Sequence, residues 1–117
     1  MDFTTELADG VRVVRVQGQW TGDAGNEQLR AALKDWLQAG ERRFIFDLGG
    51  VHLITSVGLG SLVGAYSSCA REGALLRLAG LSERNRRVGY VSRILDLFDE
   101  FEDVPSALRS FKGQARQ

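Results

Sequence analysis

The side chain with the clearest chemical potential in this chain is the hydroxyl of Ser56. Ser56 lies in the segment FDLGGVHLITSVGLG, residues 46–60, where a strand-like apolar run is followed by a glycine turn and then by the predicted start of a helix. A serine at a helix N-terminus can cap the helix with its side-chain oxygen. A phosphate on that oxygen would meet free backbone N–H groups and the positive end of the helix dipole. Ser56 is therefore a candidate helix cap and a candidate phosphorylation switch.

Enzymatic interpretations of the same segment lack required residues. A nucleophile elbow of the form G-x-S-x-G would need glycine where Ile54 stands, and the only histidine, His52, precedes the serine by four residues. Gly58, Gly60 and Gly64 follow the spacing G-x-G-x-x-x-G instead of the dinucleotide fingerprint, and the phosphate-binding motif G-x-x-x-x-G-K-[ST] is absent. We therefore predict a protein that is not an enzyme, with no catalytic residue and no cofactor. We attribute the glycines to close helix packing.

Cysteine and histidine are too few to form a disulfide framework or a metal site. Cys69 is the single cysteine and His52 the single histidine. The chain thus has no internal disulfide and no recognisable set of zinc ligands. A single cysteine within a helix is usually a small packed residue. We predict no metal site.

The composition describes a small globular protein. The 117 residues suffice for one domain with one core, and 44% of them are hydrophobic. Lys plus Arg and Asp plus Glu balance at 15 each, which argues against a nucleic-acid partner. No apolar run reaches the roughly 18 residues of a membrane span, and the segment MDFTTELADG lacks the features of a signal peptide. We expect a cytoplasmic protein that does not insert into membranes.

Apolar periodicity and turn residues divide the chain into strands and helices. The predicted strands are 3–7, 11–17, 43–48, 75–78 and 95–101, and the predicted helices are 29–37, 59–73, 82–91 and a last one that begins at Pro105. The first two strands flank Ala8-Asp9-Gly10 as a hairpin, and strand 43–48 is expected in the middle of the sheet. This order predicts one α/β domain over residues 1–111, with a mixed sheet of four to five strands, about four helices and an opening hairpin, followed by a flexible tail at residues 112–117.

The order of elements resembles the STAS domain, and specifically the single-domain anti-sigma factor antagonists of bacteria. The resemblance covers nearly the whole chain and is densest from Phe44 to Phe101. FIFDLGGV resembles the family's central strand, ITSVGLGSLVGAY its switch turn and second helix, REGALLRLAGL the next strand, and SRILDLFDEF the closing helix-to-strand passage.

The resemblance implies a role for Ser56. In the family the turn commonly reads Asp-Ser-Ser-Gly or Asp-Ser-Thr-Gly, and the serine after the aspartate is phosphorylated by a partner that is both a serine kinase and an anti-sigma factor. Ser56 occupies that position here, and Gly58 retains the glycine. Thr55 replaces the aspartate and Val57 replaces the second hydroxyl residue. The first replacement removes a negative charge beside the phosphoacceptor and a side chain that could orient it or contact the kinase.

The resemblance also implies a protein-interaction switch. The unphosphorylated chain would bind the anti-sigma factor kinase and free the sigma factor for transcription, phosphorylation of Ser56 would end the interaction, and a serine phosphatase would reset it. Apolar neighbours of Ser56 suit a partner interface, and the family adds an acidic contact before the first helix. The predicted partner-binding residues are Asp23, Leu53, Ile54, Thr55, Val57, Gly58 and Leu59.

Two alternatives stay open. In the first, Ser56 only caps a helix and its apolar neighbours only fill the core. In the second, the chain is a constitutive STAS subunit of a lipid-transport or other membrane-associated complex, in which members can carry threonine in the turn, as Thr55 does here.

Overall fold

A five-stranded mixed sheet forms the centre of the computed structural model, which describes residues 1–86 and 93–115. The strands are β1 (Asp2–Ala8), β2 (Val11–Trp20), β3 (Arg43–Ile54), β4 (Leu75–Ala79) and β5 (Glu100–Phe101), and they lie side by side in sequence order. β1 and β2 are antiparallel, whereas β2 to β5 are parallel to one another. The helices are α1 (Ala24–Gln38), α2 (Ser56–Arg71), α3 (Glu83–Arg86) and α4 (Val104–Ala115), with a further helical stretch at residues 93–95. The predicted fold class is confirmed.

The opening hairpin turns at the residues that the sequence indicates. Ala8 pairs with Val11, which leaves Asp9 and Gly10 as a two-residue loop. Both loop residues have positive φ, at 52° for Asp9 and 77° for Gly10. An Asp-Gly pair is among the preferred loops for this geometry, because glycine and aspartate tolerate left-handed backbone. The hairpin prediction is therefore confirmed.

Helices cover both faces of the sheet. On one face, α1 and α2 pack their buried leucines against the even-numbered side chains Phe44, Phe46 and Leu48 of β3. On the other face, Ala107 and Phe111 of α4 pack against Ile45 and neighbouring strand residues. Alternate residues of a strand point to opposite faces, so the apolar run of β3 is buried on both sides, as in a central parallel strand. The expected position in the middle of the sheet is confirmed.

β3 is longer than predicted, which corrects the expectation of a glycine turn after Leu48. The strand continues through Gly49 and Gly50 to Ile54 and pairs with the second half of β2, with a register shift between Arg15 and Gln17. A Cβ atom at Gly50 would lie 3.1 Å from the carbonyl oxygen of Val16. The glycine therefore permits close strand pairing at the irregularity instead of a reversal of the chain.

Three further predictions need correction or lie outside the described residues. Residues 95–101 do not form one strand, because Leu97 and Phe98 donate to the carbonyls of Ile94 and Leu95 in a helical turn and only Glu100–Phe101 pair with β4. The predicted helix 82–91 is described only as α3, since residues 87–92 are outside the described part. The last helix reaches Ala115, beyond the expected boundary at residue 111.

Candidate functional site

Ser56 is the first residue of α2, at the point where β3 ends. Its side chain is exposed, and it forms no hydrogen bond with any residue that the structure describes. No acidic residue lies in the first turn of α2. The predicted position at a helix N-terminus is confirmed, and the hydroxyl is open to solvent.

Thr55, and not Ser56, caps α2. Thr55 has extended backbone angles, φ −86° and ψ 173°, and its Oγ1 accepts a hydrogen bond from the backbone N–H of Gly58 at 3.3 Å. The same hydroxyl donates to the carbonyl oxygen of Trp20 at 3.2 Å, and the backbone N–H of Thr55 donates to that oxygen at 3.1 Å. The expectation that Ser56 could cap the helix was therefore wrong, because the preceding residue holds the extended cap geometry.

The turn is pressed against the end of β2 at Gly58. A Cβ atom on Gly58 would lie 2.2 Å from the carbonyl oxygen of Trp20, so a larger residue would force α2 away from the strand. Trp20 is itself fixed, since its ring is 1% exposed and its Nε1 donates to Oδ1 of Asn26 at 2.8 Å. Gly58, Trp20 and Asn26 thus tie the start of α2 to α1 and hold Ser56 at the surface.

The predicted partner-binding residues fall into exposed and buried groups. Leu53 and Val57 flank the Ser56 turn and are 45% and 57% exposed. Thr55 is half-buried. Ile54, Gly58 and Leu59 are buried, so their side chains support the turn from inside the domain. Only the exposed group presents apolar side-chain surface beside the Ser56 hydroxyl.

Asp23 lies in the loop that touches this turn. A Cβ atom at the adjacent Gly22 would lie 2.4 Å from Cγ1 of Val57, which places the loop against the residue after Ser56. Asp23 is exposed and caps α1 by accepting from the backbone N–H of Asn26 at 3.4 Å. The hydrogen bond from the amine of Met1, at 2.5 Å, lowers the pKa of the Asp23 carboxyl. The structure therefore brings Asp23 and the Ser56 turn onto one surface.

Sequence reasoning did not identify Trp20 and Asn26 as residues that position the site. An aromatic residue at the end of a strand gives no sign of its hydrogen-bond partner. Asp23, a good capping residue, was a signal for the helix start that places Asn26. Cys69 is buried, and burial raises the pKa of its thiol to about 11. A packed cysteine was expected at this position.

Within residues 1–86 and 93–115, no three His, Cys, Asp or Glu side chains come together in a way that could hold a metal ion. In the same residues, no helix is both long and apolar enough to cross a membrane.

Comparisons with known proteins agree on one family. The model of the STAS domain matches residues 2–107. BtrV of Bordetella bronchiseptica, a proposed anti-sigma factor antagonist, is 30% identical over 112 residues, which cover 96% of each chain. A variant of RsbS from Moorella thermoacetica has a similar structure, with a TM-score of 0.82 at 14% identity over 98% of both chains.

The anti-sigma factor antagonist SpoIIAA is also similar in fold. Its unphosphorylated form gives a TM-score of 0.74 at 17% identity and covers 95% of this chain and 98% of its own. Its phosphorylated form, from Bacillus, gives 0.73 at 19% identity over 93% of this chain and 98% of its own.

Proposed function

The chain belongs to the STAS domain family, and from this membership we propose that it is an anti-sigma factor antagonist that acts in the cytoplasm as a phosphorylation-controlled switch. The unphosphorylated chain binds an anti-sigma factor that is also a serine kinase, and this binding frees the sigma factor. Phosphorylation of Ser56 ends the interaction, and a serine phosphatase restores it. The chain is the substrate of both enzymes and has no catalytic role of its own.

The observation that carries the proposal is the exposed Ser56 hydroxyl between two exposed apolar side chains. Because Thr55 takes the capping position, the Ser56 oxygen is not committed to the helix. Leu53 and Val57 expose about half of their surface on either side of it. Single exposed apolar residues are common, whereas exposed apolar side chains grouped at one site are a feature of partner surfaces.

The phosphoryl transfer supplies the off signal. The Ser56 oxygen attacks the γ-phosphorus of ATP held by the kinase, ADP leaves, and the serine proton passes to a base of the kinase. The product carries about −1.5 to −2 charges at neutral pH. At the N-terminus of α2 the domain tolerates these charges, because the helix dipole favours anions there. Between Leu53 and Val57, however, the phosphate would have to be desolvated when a partner closes over the turn, and this weakens the complex.

The turn has no acidic residue, and Thr55 takes the capping position of α2. Its hydroxyl caps α2 without adding a charge, so the phosphate on Ser56 has no like-charged neighbour in the first turn of the helix. SpoIIAA, which is known in both phosphorylated and unphosphorylated forms, has the same fold. These points support phosphorylation at Ser56 in this chain.

Binding to the anti-sigma factor kinase from the same genome tests the proposal. Ser56→Ala removes the acceptor but keeps a small uncharged side chain, so it should bind like the native chain. Ser56→Asp places a charge at the site and should bind at least about tenfold more weakly, a change of about 1.4 kcal/mol. Ser67→Asp, a charge on the exposed part of the same helix, is the matched control and should leave affinity unchanged. Equal binding of all four proteins would refute the switch.

Thr55 also supports a second candidate function, that of a constitutive subunit of a lipid-transport or other membrane-associated complex. Because Thr55 caps α2, the Ser56 hydroxyl is not needed to start the helix. A constitutive subunit would carry Ser56 without phosphorylation. Under this alternative, the chain would stay bound to transporter proteins from its own genome whether position 56 carries Ser, Ala or Asp. Release by Ser56→Asp alone would exclude it.

A further inference from the structure

β1 lies at one end of the five-stranded sheet that the structure describes, and within that sheet it pairs only with β2. The strand is seven residues long, and most of these residues are exposed. It contains no proline, no lysine and no β-bulge, which are devices that keep an edge strand from pairing with another chain. The outer edge of β1 is therefore open to a further strand.

The hairpin geometry determines which backbone groups of β1 face outward. Ala8 and Val11 flank the two-residue loop, and a pair in this position exchanges both of its hydrogen bonds. Because hydrogen-bonded and non-hydrogen-bonded pairs alternate along an antiparallel ladder, the N–H and C=O groups of the even-numbered residues of β1 point toward β2. Those of Phe3, Thr5 and Leu7 point away from the sheet and can bond to a second strand.

The side chains of these three residues share one face of the sheet, because alternate residues of a strand point to the same side. Phe3 packs against the core that α1 and α2 cover, and Oγ1 of Thr5 accepts from Nη1 of Arg12 at 3.4 Å. Leu7, at the other end of this row, is 56% exposed. An exposed leucine on an edge strand is the opposite of the charged residues that usually protect such an edge. Leu7 is thus left for a neighbouring strand to cover.

A second copy of β1 matches this edge. When two copies pair antiparallel about a twofold axis at Thr5, Thr5 faces itself and Phe3 of each copy faces Leu7 of the other. Each of these pairs joins residues whose backbone groups point outward, so each pair can exchange two hydrogen bonds. Leu7 is then covered by an aromatic ring, which is a favourable cross-strand pair.

The acidic residues of β1 select this register over its neighbours. An axis at Glu6 would place the two Glu6 carboxylates directly opposite each other, and an axis at Thr4 would place Asp2 opposite Glu6. Like charges in directly opposite positions destabilise strand pairing. With the axis at Thr5, Glu6 faces Thr4 and no acidic residue faces another. Glu6 is also paired within its own chain, with Arg15 at 2.7 Å. The strand is therefore self-complementary in the register that covers Leu7.

We propose that the chain forms a dimer with a second copy of itself, in which the two β1 strands pair antiparallel about Thr5 and the two sheets become continuous. Seven residues from each copy make an interface below the roughly 1,200 Å² of standard complexes, so the dimer forms at about 0.1 to 1 mM protein and dissociates on dilution. Ser56 lies at the end of β3, two strands away from the paired edge. The dimer is independent of Ser56 phosphorylation.

Sedimentation equilibrium of the full chain from about 0.02 to 1 mM tests the dimer, and amide hydrogen exchange at the two ends of this range locates its surface. The amides of Phe3, Thr5 and Leu7 should exchange more slowly at the high concentration. Those of Thr4 and Glu6, which point toward β2, should change less. A chain that stays monomeric at 1 mM, including one whose edge pairs only with a peptide of another protein, would overturn the proposal. A dimer that protects amides elsewhere in the domain would overturn it as well.

A charge at Leu7 tests the side-chain contact. Because Leu7 is exposed in the single chain, Leu7→Glu should fold with a urea midpoint close to the native one. It places a carboxylate opposite Phe3 of the second copy and should weaken dimerisation at least about tenfold. Leu97→Glu makes the same change at an exposed leucine in the turn before β5 and should dimerise like the native chain. Native dimerisation of Leu7→Glu would refute the interface.

A proline at Thr5 tests the backbone pairing. The Thr5 N–H points away from β2, so Thr5→Pro removes no hydrogen bond of the hairpin, and an edge strand tolerates proline at such a position. The variant loses the donors at the centre of the interface and should dimerise at least about tenfold more weakly. Thr5→Val keeps the N–H and the branched side chain and should dimerise like the native chain. A folded Thr5→Pro variant with native dimerisation would exclude pairing through β1.

Discussion

Removal of the Thr55 hydroxyl should loosen the turn that presents Ser56. In Thr55→Val the side chain keeps its shape but cannot accept from the Gly58 N–H or donate to the Trp20 carbonyl, contacts of 3.3 and 3.2 Å. Loss of an N-cap costs about 1 kcal/mol. The second hydrogen bond adds about 0.5–1 kcal/mol, because the Trp20 oxygen keeps the backbone N–H of Thr55 as a donor. The expected total is about 2 kcal/mol.

Urea denaturation at neutral pH measures this loss, with thermal melting as a second readout. For a domain of this size, about 2 kcal/mol corresponds to a fall in Tm of roughly 8 °C. Thr55→Ser keeps both hydrogen bonds and should stay within about 0.5 kcal/mol of the native chain. Thr55→Asp keeps the cap but cannot donate to Trp20, so its stability should lie between those of the serine and valine variants. Native stability of Thr55→Val would refute the reasoning, and a loss in Thr55→Ser as large as that in Thr55→Val would show that the methyl group contributes as much as the hydroxyl.

Three further predictions concern the positions around this turn and elsewhere in the core. Gly58→Ala should destabilise the domain by about 3 kcal/mol, because its Cβ would meet the Trp20 carbonyl. Gly60→Ala, two residues along, should stabilise it by up to about 1 kcal/mol, because alanine is the better helix former and has free space there. Urea midpoints of the two variants that do not lie on opposite sides of the native midpoint would contradict this. Cys69, with a pKa of about 11, should react with a disulfide reagent at pH 8 only after denaturant is added, and rapid native reaction would disprove its burial. Asp103 caps α4, and hydrogen bonds from Ser106 lower the pKa of its carboxyl below the ordinary 3.8. Its contribution to stability is therefore present above pH 3.8 and is lost as pH falls through the lower pKa of the folded state. The difference in stability between the native chain and Asp103→Ala should shrink in acid, and a constant difference would contradict this.

Local patterns were sufficient to predict most of the fold. Alternation of apolar residues defined β2, the two-residue Asp9-Gly10 loop defined the hairpin, and the run Phe44–Leu48 defined the central strand. These features depend on residues that are close to one another in sequence, so the local sequence is enough to predict them. The extension of β3 to Ile54 was missed because two glycines favour a turn unless a neighbouring strand pairs with them, and that partner, β2, lies about 30 residues away.

The site was predicted in position but not in detail. Thr55 and Ser56 are adjacent and both are good capping residues, so local propensity cannot choose between them. The choice is made by the Trp20 carbonyl, which is 35 residues away in sequence. Gly60 and Gly64 posed a similar problem, because a glycine in a helix is compatible with close packing and with an open cleft. A Cβ atom added at either glycine would meet no neighbouring atom within 4 Å, so the structure shows open space and the expectation of close packing was wrong.

Phosphate mapping after incubation with the cognate kinase tests the central claim most directly. The purified chain would be incubated with ATP, Mg²⁺ and the anti-sigma factor kinase from its own genome, and the phosphate would be located by mass spectrometry of the intact chain and its peptides. We predict a single phosphate on Ser56, absent from Ser56→Ala and retained in Ser61→Ala, the control in the same helix. An unmodified chain, or a phosphate that persists in Ser56→Ala, would contradict the assignment of Ser56 as the switch.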